Sequence, residues 1–131
     1  MVQIIQLQGT DKRLYELVAP LVMNPEILKQ NYNYPFRTSE DFVWFVAVDK
    51  KKVIGFIPVE EKKNEYVINK HYIESNKVDT LKLLLEKVIS ETNTSKELTS
   101  VTFMEHSSLF KDLGFSEEKI WTRYVKMKKD R

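Results

Sequence analysis

Residues 42–61 read FVWFVAVDKKKVIGFIPVEE, two apolar runs separated by DKKK. Both runs are rich in β-branched and aromatic residues, which favour strands, and the polar spacer favours a reversal, so the segment predicts a β-hairpin. The flanking sequence decides what the hairpin belongs to. Upstream, VQIIQLQ predicts a strand, and Gly9, Thr10 and Asp11 supply a turn and a helix cap. Leu14, Leu17, Val18 and Leu21 then fall on one helical stripe, weakened at its end by Pro20, before Asn24 and Pro25 restart a short helix. Downstream, EYVINKHYIES predicts a third antiparallel strand. Leu81, Leu84, Leu85 and Val88 mark a helix, and ELTSVTFME predicts another strand. Leu109, Phe110 and Leu113 give a short helix stopped by Gly114, and IWTRYVKMK predicts the last strand. The order β-α-α-β-β-β-α-β-α-β describes an α/β (α+β) mixed sheet with helices on its faces, with parallel pairing across the strand-helix-strand crossover.

Composition narrows the function. A length of 131 residues, 42% hydrophobic, suits a single domain spanning 1–131 with a real core. Lys and Arg number 21 against 19 Asp and Glu, a net +2 that gives no reason to expect nucleic acid as a partner. No apolar run approaches a membrane span and no signal peptide is legible, so the expectation is a cytoplasmic protein with no membrane partner. The absence of cysteine removes thiol nucleophiles and cysteine-ligated metals, and two histidines far apart in sequence predict no metal site.

FVWFVAVDKKKVIGFI resembles the second and third strands of the GCN5-related N-acetyltransferase (GNAT) family, and LFKDLGF resembles that family's hallmark near the C-terminus. The resemblance covers most of the chain from about residue 40 onward. It implies a GNAT-like acyl-CoA N-acyltransferase fold, acetyl-CoA as cosubstrate, and a small-molecule or peptide amine as acceptor. It also implies a coenzyme site where the fourth strand meets the next helix, within HYIESNKVDTLKLLLEKV. The family's loop there has Arg or Gln, two residues, Gly, one residue, then Gly or Ala. Ser75 stands at the basic position here, with Val78 and Thr80 at the small ones, so the loop is degenerate. Glycines in such a loop allow positive φ and let backbone amides approach a pyrophosphate, which Val78 does poorly. Free amides at the helix start would remain, and Asn76, Lys77, Thr80 and Lys82 offer donors or charge, opposed by Asp79. The expected cofactor-binding set is therefore Ile73, Ser75, Asn76, Lys77, Val78 and Thr80, with the pantetheine in the strand-end gap between Ile73 and Ser75. Two readings stay open: an N-acetyltransferase, and a catalytically lapsed GNAT-fold binding or interaction module.

Acetyl transfer needs an amine relieved of its proton, a stabilised oxyanion and an acid for the departing thiolate. The family often places a tyrosine as that acid at the position of Phe110, whose ring donates no proton. MEHSS offers replacements: His106 titrates near neutrality, and Glu105 can act as base or orient it. The competing reading makes Ser107 or Ser108 the cap of the next helix and Glu105 a solvated side chain. His71 and Glu74 form a second, lower-ranked pair. Tyr32, Tyr34, Phe36 and Arg37 sit where the resemblance implies a loop over the acceptor, the aromatics as a wall and Arg37 as partner to an acceptor carboxylate. Trp121 and Tyr124 on the last strand suit packing or a homodimer contact.

Overall fold

The computed structural model describes residues 2–30, 36–92 and 95–130, without the side chains of Asn69 and Asn76. Its elements run β1 (Val2–Gln8), α1 (Lys12–Val22), α2 (Pro25–Gln30), β2 (Phe42–Asp49), β3 (Lys52–Glu61), β4 (Glu65–Asn69), β5 (Tyr72–Ile73), α3 (Val78–Glu91), β6 (Glu97–Phe103), α4 (Ser107–Asp112), β7 (Phe115–Ile120) and β8 (Tyr124–Lys129). Among the described residues the strands form one sheet in the order β1-β2-β3-β4-β6-β8-β7, with β5 paired to β3.

The hairpin expected from FVWFVAVDKKKVIGFI is present. Lys50 and Lys51 both take positive φ, 50° and 69°, the conformation of a two-residue turn whose twist matches that of the strands it joins. Alternation along β2 sends Phe45 and Ala47 to one face and Trp44 and Val46 to the other, and all four are buried. The first face packs against Leu81, Leu84, Leu85 and Val88 of α3 and Phe110 of α4. The second packs against Leu14 and Val18 of α1. Removing such leucines from water contributes about 1.5–3 kcal/mol each, so coverage on both faces is what makes so apolar a hairpin stable. The crossover through α3 sets β6 parallel to β4, as the strand-helix-strand order requires.

Two sequence expectations need correction. EYVINKHYIES is not one strand: β4 ends at Asn69, Lys70 adopts φ 61°, and the chain re-enters the sheet as the short β5. No glycine or proline marks this break. The last strand is a hairpin, because FSEEKI forms β7 against β8, so that Ile120 ends β7 and Trp121 lies in the connection rather than within one strand. Its charged residues suit the edge strand it forms. Gly114, at φ 94°, ends the α4 segment in the conformation glycine favours. No helix among the described residues is long and apolar enough to cross a membrane.

Candidate functional site

The break in the fourth strand opens the sheet. Parallel pairing of β4 with β6 ends at Asn69↔Val101. Beyond that point β5 stays with β3, through Phe56↔Tyr72 and Gly55↔Ile73, while β6 continues along β8 to Phe103↔Tyr124. The two strand ends therefore part, and the edge of β5 turned away from β3 faces the gap. Gly55 makes the arrangement possible: a Cβ there would lie 2.9 Å from the Tyr72 carbonyl oxygen and 3.3 Å from side-chain carbons of Ile73 and Thr80. A glycine is needed so that β5 and α3 can both approach β3.

A cavity of about 400 Å³ occupies the gap and runs out toward α2 and Phe36; Tyr72, Ile73, Phe103 and Glu105 also line it. Its polar centre is a pair of imidazoles. His71, 3% exposed, comes from the β4–β5 break, and His106, 5% exposed, from the turn before α4; His71 Nε2 and His106 Nδ1 lie 2.9 Å apart. Phe103 stands edge-on to both rings, at 5.7 and 5.8 Å. Burial, then the charge of His106, pushes the His71 pKa down to about 3. Burial also lowers His106, with Glu105 pulling the other way. Both rings are thus neutral at neutral pH. A single proton joins them, and His71 Nδ1 is buried without a hydrogen-bond partner among the described residues. An imidazole neutral at this pH can take up or pass on a proton.

His71, which ranks below His106 and Glu105 in the sequence as an ordinary surface polar group, is instead buried and meets His106 across 35 residues of chain. The usable signal was the parallel crossover, which puts the ends of β4 and β6 at the same edge of the sheet, where α/β folds gather ligands. Glu74, the other member of that lower-ranked pair, instead meets Lys52 in an ion pair. The serine cap is corrected: His106 holds the N-cap position of α4, and Ser107 Oγ donates to the Met104 carbonyl at 2.8 Å.

The expected coenzyme residues divide. Ile73 pairs its backbone with Gly55 and buries its side chain among the core residues. Ser75 takes φ 53°, ψ 28°, the left-handed turn a glycine would otherwise make. Lys77 caps α3 without a side-chain hydrogen bond, and the first intrahelical bonds run from Thr80 and Leu81 to its carbonyl. Among the described residues, the amides of Val78 and Asp79 thus start the helix without a backbone acceptor. Val78 is 47% exposed, so its side chain stands at the mouth of this turn. Thr80 leaves the donor set, since its amide bonds Lys77 and its side chain, 5% exposed, faces Gly55. The backbone of Asn76 lies in the turn Glu74–Asn76 before α3. Tyr32 and Tyr34 lie outside the described residues. Arg37 is exposed and borders a small recess beside the cavity. Phe110 is fully buried against Phe115, so it serves the core. Among the described residues no group of three or more His, Asp or Glu is arranged to hold a metal.

No family model matches the sequence, and no curated protein matches it. Solved structures do. Escherichia coli ElaA superposes with a TM-score of 0.78 at 10% identity, covering 99% of this chain and 100% of that one. An acyl-CoA N-acyltransferase from Pseudomonas aeruginosa gives 0.75 at 12%, covering 98% and 99%. The PaiA N-acetyltransferase of Thermoplasma acidophilum, in complex with coenzyme A, gives 0.60 at 18%, covering 100% and 99%. The chain has the GNAT acyl-CoA N-acyltransferase fold along almost its whole length.

Proposed function

We propose that this GNAT-fold protein is an acyl-CoA-dependent N-acetyltransferase acting on an amine. The observation that carries the reading is the parting of β5 from β6 with a cavity in the gap. An extended pantetheine arm carries amide groups that the gap-facing edge of β5 can pair with in the manner of an added strand. The solved N-acetyltransferases with coenzyme A or acetyl-CoA bound share this fold and support the same ligand here. The fit is good in the gap and poorer at the start of α3. There the left-handed Ser75 and the amides of Val78 and Asp79 favour an anion, whereas the Val78 side chain and the Asp79 carboxylate oppose one.

Bound acetyl-CoA would supply a thioester carbonyl open to attack by an amine. The remaining work falls to the protein's own groups. Backbone amides along the gap edge of β5 are the donors available to a developing oxyanion. His106, which lines the cavity, is the group that takes the amine proton. A neutral imidazole of lowered basicity suits this task, because the amine surrenders its proton readily only as its bond to carbon forms. His71 is a positioning residue: its Nε2, 2.9 Å from His106 Nδ1, orients the His106 ring at the cavity. Glu105, at the cavity wall, favours the protonated His106 that results. Phe110 supplies no phenol, so the thiolate leaves with a proton from His106 or from solvent.

A specific observation also favours the second reading, a lapsed binding module: Val78 stands where a pyrophosphate loop needs a small residue. Calorimetric titration with acetyl-CoA, paired with thiol-release assays on a broad amine panel, separates the two. Binding with turnover supports the transferase. Binding without turnover supports the module, and no binding at millimolar coenzyme removes the transferase reading.

A further inference from the structure

Next to the main cavity lies a second, much smaller recess of about 20 Å³, bordered by Phe36, Arg37, Pro58, Glu60, Val67 and Lys70. Phe36 belongs to both walls, so the recess adjoins the cavity at that side chain. We propose that the Arg37 and Lys70 recess is the selectivity subsite for the acceptor, which is an amine carrying a single carboxylate. This rests on the transferase reading and deepens it.

Three features support the assignment. Lys70 is the residue whose φ of 61° breaks the fourth strand, so the turn that opens the cavity also sets this ammonium at its rim. Its side chain is half-buried, and its pKa falls through burial first and then through the charge of Arg37. Two cations facing one recess repel each other, and no ion pair relieves either among the described residues; an anion between them removes that penalty. Finally, Glu60 borders the same recess. Its carboxylate offsets part of the positive field, which leaves room for one negative charge and disfavours a phosphate dianion. A volume near 20 Å³ suits about one carboxylate group or bound water. The geometry gives Arg37 a planar fork for carboxylate recognition, with Lys70 as a point charge. The amine end of such a molecule then lies past Phe36, toward Tyr72, Glu105 and His106.

The test uses the full chain, labelled for amide NMR and without coenzyme. The probes are β-alanine, its carboxamide and phosphoethanolamine. β-Alanine is expected to move the Phe36, Arg37 and Lys70 amides saturably, about tenfold more tightly than the carboxamide. Arg37→Gln and Lys70→Gln should each weaken β-alanine about fivefold or more, with the rest of the spectrum unchanged as proof of folding. Glu60→Gln should tighten β-alanine and admit phosphoethanolamine. Equal affinity for β-alanine and its carboxamide, no saturable shift at these amides, or unchanged binding in both Gln variants overturns the proposal. Preference for phosphoethanolamine by the wild type overturns the monoanion assignment. A separate acetyl-CoA titration, read at Tyr72 and Ile73, keeps the two levels apart. β-Alanine binding with no response to the coenzyme retains the carboxylate subsite and removes the transferase reading, whereas the reverse removes only the subsite.

Discussion

Replacing His71 tests the imidazole pair through stability, independently of any substrate. The unfolded chain takes up a proton on this imidazole near pH 6.5, but the folded chain, having buried the ring beside His106, does so only near pH 3. The group's pKa is depressed by folding, so its contribution is full above the unfolded value and is lost as pH falls through the window from 6.5 toward 3. Between about pH 7 and pH 5 the single proton difference amounts to roughly 2 kcal/mol of lost stability. His106, also lowered by burial, adds in the same direction. Carboxylates titrate mostly below about pH 5, so they intrude little. Urea unfolding across this range should show the wild type losing about 2 kcal/mol or more, and His71→Phe losing about 2 kcal/mol less. Identical pH slopes for the two proteins would refute the reasoning, because His71 would then be accessible to protons in the folded state.

Three further perturbations address the gap and the helix start. Gly55→Val places side-chain atoms against the Tyr72 carbonyl and should cost about 1–3 kcal/mol in denaturant unfolding, with acetyl-CoA affinity falling as β5 is displaced. Ser75→Gly relieves a non-glycine left-handed turn and should raise unfolding stability by about 0.5–1 kcal/mol, since the fold already has the φ a glycine prefers. Asp79→Asn should tighten acetyl-CoA about two- to threefold by calorimetry at low salt, with the gain disappearing as salt screens the exposed charge.

How much of this was legible follows from what each feature depends on. The hairpin and its turn rest on local composition, and the α3 stripe of Leu81, Leu84, Leu85 and Val88 on periodicity, so both could be read from sequence. Parallel pairing of β4 with β6 followed from a topological rule. The break at Lys70 was hidden because a lysine carries no turn signal, and its left-handed φ comes from the tertiary arrangement of β5 on β3 through Gly55. Strand β7 was hidden by Glu117, Glu118 and Lys119, whose polarity suits an edge but erases the alternation used to find strands. The meeting of His71 with His106 is a long-range consequence of the crossover, invisible to any local window. Conversely, the alignment that made Thr80 a coenzyme residue treated position as function, whereas the helix turns that side chain inward against β3.

The central claim is that the gap between β5 and β6 receives an acyl-coenzyme A, and a crystal structure of the full chain grown with acetyl-CoA tests it most directly. The account predicts density along the free edge of Tyr72 and Ile73, with the thioester in the cavity near His106 and the pyrophosphate at the amides of Val78 and Asp79. Coenzyme bound elsewhere on the protein, or an empty gap at saturating acetyl-CoA, would contradict it.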